Sequence, residues 1–156
     1  MCGSRDLRFL EMIMEERILR GHKVAKGRSE GEALVTREPI SFYQGINPET
    51  GILIEKNHEL EGKKVTGKIL VFPMEKGSTA GAFHLYEMVR CGTAPKGIIN
   101  LRADPVIALG AIISSIPMVD RLDVNPLEAI ETGDYVEVNA DEGVVKVRKG
   151  IGSDRP

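Results

Sequence analysis

The sequence predicts an α/β protein in which a small parallel strand–helix–strand–helix–strand core packs against a second, barrel-like layer of β-structure. Four observations carry that expectation. Ile69, Leu70, Val71 and Phe72 form an unbroken apolar run closed by Pro73, which reads as a strand buried on both faces. From Thr79 the apolar side chains recur at Ala82, Leu85, Met88 and Val89, the spacing of a helix lying on a sheet. The alternation then repeats, with residues 97–101 as a buried strand, a helix over Val106, Ile107, Leu109, Gly110 and Ile113, and residues 117–119 as a third strand. That order requires parallel pairing through right-handed crossovers. Finally, Tyr135, Val136 and Val138 face Val144, Val145 and Val147 across a turn at 139–143, a hairpin that needs another layer to cover.

In chain order, residues 1–21 place Leu7, Phe9, Leu10, Ile13, Met14, Ile18 and Leu19 among charges, which reads as an amphipathic helical extension ending at Gly21. A dispensable extension and a partner-docking helix fit it equally. Glu11, Glu15 and Glu16 interrupt the apolar core that a signal peptide needs. Residues 22–149 read as the folded domain, and 150–156 as a polar, disordered tail. Val24, then Ala33, Leu34 and Val35, with Gly27 and Gly31 between, suggest two strands joined by a tight turn. Residues 39–51 are long for a connection, and Phe42 and Tyr43 give them something to pack with, so they read as an ordered loop at a site or interface. Residues 52–54 make a short strand. Residues 57–64 are charged and exposed, with His58 a surface or turn residue rather than a catalyst. Gly92 and Pro95 stop the first core helix, Asp104 and Pro105 open the second, and Pro126 starts a helical turn over residues 127–130.

The composition bounds what such a domain does. Among 156 residues, Lys and Arg number 21 against 23 for Asp and Glu, a net charge of -2, so no global field favours nucleic acid or an anionic membrane. Aromatic residues make up 4% and there is no Trp, which leaves little for stacking bases. No apolar run reaches the roughly 18 residues of a membrane span. Cys2 and Cys91 imply no disulfide framework, which suits a reducing cytoplasm. His22, His58 and His84 match no zinc spacing, and two distant cysteines cannot supply an iron–sulfur cluster, so any metal used here must come from another chain.

In open α/β sheets ligands sit at the carboxyl ends of the parallel strands. Here that edge gathers residues 75–79, 100–104 and 120–121. Lys76-Gly77-Ser78-Thr79 stands where the first core strand hands over to its helix, with Ser78 or Thr79 at the N-cap. Free N–H groups there suit a phosphate or carboxylate, and Ser78 read alone is simply a helix cap. A Walker loop is excluded: Lys precedes Gly, and Phe72 or Pro73 occupies the upstream Gly position.

The run Lys26-Gly-Arg-Ser-Glu-Gly-Glu-Ala-Leu34, then Asn47-Pro-Glu-Thr-Gly51, Leu70-Val-Phe-Pro73, Lys76-Gly-Ser-Thr79, Gly92-Thr-Ala-Pro95 and Ile98-Ile-Asn-Leu101 resembles the small subunit of aconitase-X-type hydro-lyases over residues 22 to 148. The resemblance implies a swivelling β/β/α domain paired with a large subunit that carries a 4Fe-4S cluster. It implies removal of water from a small phosphorylated hydroxy acid, mevalonate 5-phosphate, giving trans-anhydromevalonate 5-phosphate in an archaeal mevalonate route to isoprenoids. Ser78 is then the proton acceptor, with Lys76, Gly77 and Thr79 binding substrate. Ala80 stands where aconitase swivel domains carry an Arg, so that anion clamp is absent. Two other readings remain at this level: dehydration of cis-3-hydroxy-L-proline, and a non-catalytic swivel module.

Overall fold

Ile69–Phe72 is a strand with all four residues buried, and it lies near the middle of a mixed eight-stranded sheet. The computed structural model describes residues 16–150. Its elements are β1 (Glu16–Arg20), β2 (His22–Ala25), β3 (Arg28–Val35), α1 (Phe42–Gly45), β4 (Ile69–Phe72), α2 (Gly81–Cys91), β5 (Gly97–Asn100), α3 (Pro105–Ser114), β6 (Met118–Asp120), α4 (Pro126–Ala129), β7 (Tyr135–Asn139) and β8 (Val144–Arg148). The sheet order is β1-β8-β7-β3-β4-β5-β6-β2.

The expected parallel core is present: β4, β5 and β6 are parallel neighbours, connected through α2 and α3. β3 joins it to the antiparallel half. Its residues Arg28 to Glu32 pair with β7, and Ala33 to Val35 pair in parallel with β4. Side chains of the central strands alternate between two cores, as the pleat demands. Leu70, Phe72 and Ile98 pack with Leu85, Met88, Ile107 and Ala111 of the helices. Ile69, Val71, Ile99 and Val119 pack with Val136, Val138, Val145 and Val147 of the hairpin. Gly110 brings α3 close to α2, because a Cβ there would lie 3.1 Å from the Ala82 Cα.

Several expectations are corrected. The helix over residues 1–21 gives way, where it is described, to the strand β1, paired antiparallel with β8 and burying Leu19. The edge of β8 offers a full ladder of partners, and a ladder outweighs a weak local helical pattern. Residues 1–15 of that extension, and 151–156 of the tail, lie outside the described residues. The second layer is not a closed barrel, since no ladder joins β1 to β2 among the described residues. The two run end to end through Gly21, so one stretch serves both sheet edges in tandem and cannot pair with itself. β2 and β3 are the two expected strands joined tightly through residues 26–27, but they do not pair with each other, because β2 pairs with β6. Residues 52–54 form only single bridges, Ile46 with Leu53 and Ile52 with Lys64. Val89, expected inside, is exposed, as are Leu109 and Ile113; the inward stripe of α2 is Ala82, Leu85 and Met88. No described helix is long and apolar enough to cross a membrane.

Candidate active-site turn

The turn of residues 76–79 joins the carboxyl end of β4 to α2, and all four residues are exposed. Gly77 has φ +101, a left-handed conformation that costs a side-chain-bearing residue about 1 kcal/mol or more. A Cβ there would also lie 3.0 Å from the Ser41 hydroxyl. Ser78 is not the N-cap in the strict sense: the cap position is Ala80, and α2 begins at Gly81. The Ser78 hydroxyl instead accepts the Ala80 N–H at 3.0 Å, and the Ser78 carbonyl accepts the Gly81 N–H at 3.1 Å. These two bonds set the serine just ahead of the helix, with its hydroxyl hydrogen free to donate outward. Among the described residues, nothing accepts a hydrogen bond from the N–H of Gly77, Ser78 or Thr79. Three consecutive free donors before a helix of eleven residues are chemically suited to an anion without any side-chain charge.

The long loop is ordered, as expected, and it packs against this turn. Lys76 N–H donates to the Ile40 carbonyl at 2.9 Å, and Ile40 N–H donates to the Met74 carbonyl at 3.2 Å. Lys76 Nζ reaches Glu55 Oε2 at 2.8 Å. His84, on α2, is bound through Nε2 to the Ile46 carbonyl at 2.6 Å, and the Tyr43 ring meets its imidazole edge-on. His84 is therefore a strut between loop and helix.

The neighbouring strand ends serve mainly to hold backbone. Asn100 is fully buried and donates from Nδ2 to the Phe72 carbonyl at 3.0 Å. Asp120 Oδ2 accepts the Ala103 N–H at 2.8 Å. Asp104 caps α3 as expected, its Oδ1 accepting from Val106 and Ile107 at 2.8 and 3.0 Å. His58, read as a surface or turn residue, sits in a turn but is only 5% exposed. Its Nδ1 accepts the Leu60 N–H at 3.0 Å, leaving Nε2 to donate to the Pro39 carbonyl at 3.0 Å, so it is a fixed structural link.

Glu75 is the residue that sequence reasoning missed. It is 5% exposed, and burial first, then the nearby Asp104 charge, push its carboxyl up to about 7. A glutamate between Met74 and Lys76 in a polar turn carries no sequence signal of burial. A surface concavity of about 610 Å³ lies elsewhere, bordered by Arg20, Arg28, Glu30, Glu137, Glu142 and Lys146 on the antiparallel half. Its mixed charges and distance from the parallel strand ends give it no part in the turn.

The described residues do not fit an iron–sulfur cluster. Cys91 is the only cysteine among them, it is exposed, and no group of three or more His, Cys, Asp or Glu is placed to hold a metal ion.

Residues 18–147 match the aconitase X swivel domain family. The chain is 47% identical over 135 residues to the phosphomevalonate dehydratase small subunit of Methanosarcina acetivorans, covering 86% of this chain and 94% of that protein. It is 50% identical over 124 residues to the protein of the same name from Archaeoglobus fulgidus, covering 80% and 93%. Among solved structures, it resembles a crystal structure of Thermococcus kodakaraensis aconitase X in its holo-form, with TM-score 0.80, 44% identity, and coverage of 84% of this chain and 98% of that one.

Proposed function

The chain belongs to the aconitase X swivel domain family, and from that premise we propose that it is the small subunit of a hydro-lyase that dehydrates mevalonate 5-phosphate to trans-anhydromevalonate 5-phosphate in the mevalonate pathway. What carries the reading is near end-to-end likeness: relatives bearing the phosphomevalonate dehydratase small-subunit name align over more than nine-tenths of their own length. Hydroxyproline dehydration is not favoured, because those relatives carry the other name.

A small subunit implies a large one. The described residues do not fit a cluster, so the reading assigns the 4Fe-4S group to the large subunit and gives this chain the proton-handling half of a cytoplasmic enzyme. Ser78 is the proton acceptor. Its exposed hydroxyl stands at a helix mouth, where it can reach a substrate held against the partner. The helix terminus stabilises an anion there by at most ~2 kcal/mol, roughly 1.5 pKa units, so a serine base cannot act on this chain alone. The remainder must come from a water-excluding interface formed on assembly.

The phosphate and carboxylate of the substrate are bound by the free N–H groups of Gly77 and Thr79 and by Lys76. Lys76 is half-exposed and paired with Glu55, an ion pair worth about 1 kcal/mol or less, so a doubly charged phosphate can draw it away. The test is Ser78→Ala in the complex reconstituted with the large subunit. Turnover is expected to fall by about 100-fold or more while assembly, read by size-exclusion chromatography, is unchanged. Wild-type turnover by that variant would remove the role.

A further inference from the structure

Three residues before Ser78 the chain buries a carboxyl group that the reading above leaves unused. Glu75 forms a parallel bridge with Ile40, and the two backbone hydrogen bonds on either side of that bridge turn its side chain inward, while Met74 and Lys76 face solvent. The side chain lies beneath the first turn of α2, where a Cβ on Gly81 would collide with Glu75 Oε2. The Phe42 N–H donates to the carboxyl, but Oε2 is buried with no hydrogen-bond partner.

The charges around it are unfavourable to an anion. Asp104, capping α3, is near enough for its charge to raise the Glu75 carboxyl, and its own Oδ2 is also buried and unpartnered. The first turn of α2 carries no acidic residue, α1 carries no charge, and Lys76 is turned away to Glu55. A carboxylate here would have one hydrogen bond, no cation, and a second carboxylate nearby. A neutral carboxylic acid has none of these costs, in agreement with a group pushed up to about 7.

We propose that Glu75 is a positioning residue for Ser78: as a neutral acid wedged between the Phe42 backbone and the first turn of α2 it holds residues 76–78 in place, and on ionising it is driven outward and releases that turn. The catalytic consequence rests on Ser78 being the proton acceptor; the structural one does not. Two measurements test it. In the assembled enzyme, kcat for wild type is expected to fall about tenfold per pH unit above about pH 7, with KM little changed, whereas Glu75→Gln is flat over the same range. In the full chain, hydrogen exchange at the amides of Lys76, Ala80 and Gly81, corrected for the intrinsic rise with pH, is expected to lose about tenfold protection between about pH 6 and about pH 8 in wild type and none in Glu75→Gln.

Protection that is independent of pH in the wild type overturns the proposal, and so does a Glu75→Gln enzyme that keeps the wild-type decline. If protection changes as stated while the assembled wild type is inert on mevalonate 5-phosphate, the functional reading fails and the positioning role stands.

Discussion

Glu75 also couples this turn to the stability of the whole chain. Its carboxyl titrates near 4.5 when unfolded and at about 7 when folded, so between those values the folded state holds the extra proton. Stability is therefore full at and below about pH 4.5, declines as pH rises towards about 7, and levels off above it. The span sets a ceiling of about 3 kcal/mol, and with solvent reaching the exposed residues on both sides about 1–2 kcal/mol is the realistic size. Urea titration at about pH 8 should find Glu75→Gln more stable than wild type by that amount, and at about pH 5 no more stable. The place of Ser78 at the strand-to-helix turn was legible in the sequence, because the end of an apolar run and the start of a helical period bracket it. Glu75 was not, because its burial depends on Ile40, Phe42 and Gly81, residues brought together only by the tertiary fold. His58 was half-legible: its turn showed, but its two backbone partners did not.

At the scale of elements, the cap of α3 and the acid beneath α2 form one electrostatic unit. Asp104→Asn keeps a good capping side chain but removes the like charge, so the Glu75 carboxyl should titrate lower and the alkaline decline in kcat should move towards acid. Asp104→Ala should do the same and cost about 1 kcal/mol in a thermal or urea melt, since Val106 and Ile107 lose their acceptor. β4, α2, β5, α3 and β6 could be read directly, because doubly buried strands are continuous apolar runs and helices on a sheet repeat every three or four residues. β1 could not. Glu-Arg-Ile-Leu-Arg has one buried side chain, Leu19, and only the open edge of β8 makes it a strand. α1 is a single turn set by the loop that wraps residues 76–79, too short to show a period.

For the molecule as a whole, β1 turns the N-terminal segment from an appendage into a structural member. Removing residues 1–21 strips a five-residue ladder from β8 and the buried Leu19, and should cost at least about 2 kcal/mol in a thermal or urea melt and promote self-association through the bared edge. Removing residues 1–15 alone leaves that ladder in place. The overall α/β class was legible because each half announces its own periodicity. The join was not, since nothing in residues 28–35 states that one strand changes partner from β7 to β4 midway. The pairing of Glu16 with Arg148 has a further consequence for synthesis. As the polypeptide leaves the ribosome, β1 emerges long before β8, whereas β2 needs only β6. β1 must wait unpaired while the residues between it and β8 are made, and closure of that long loop becomes the slow step of sheet assembly.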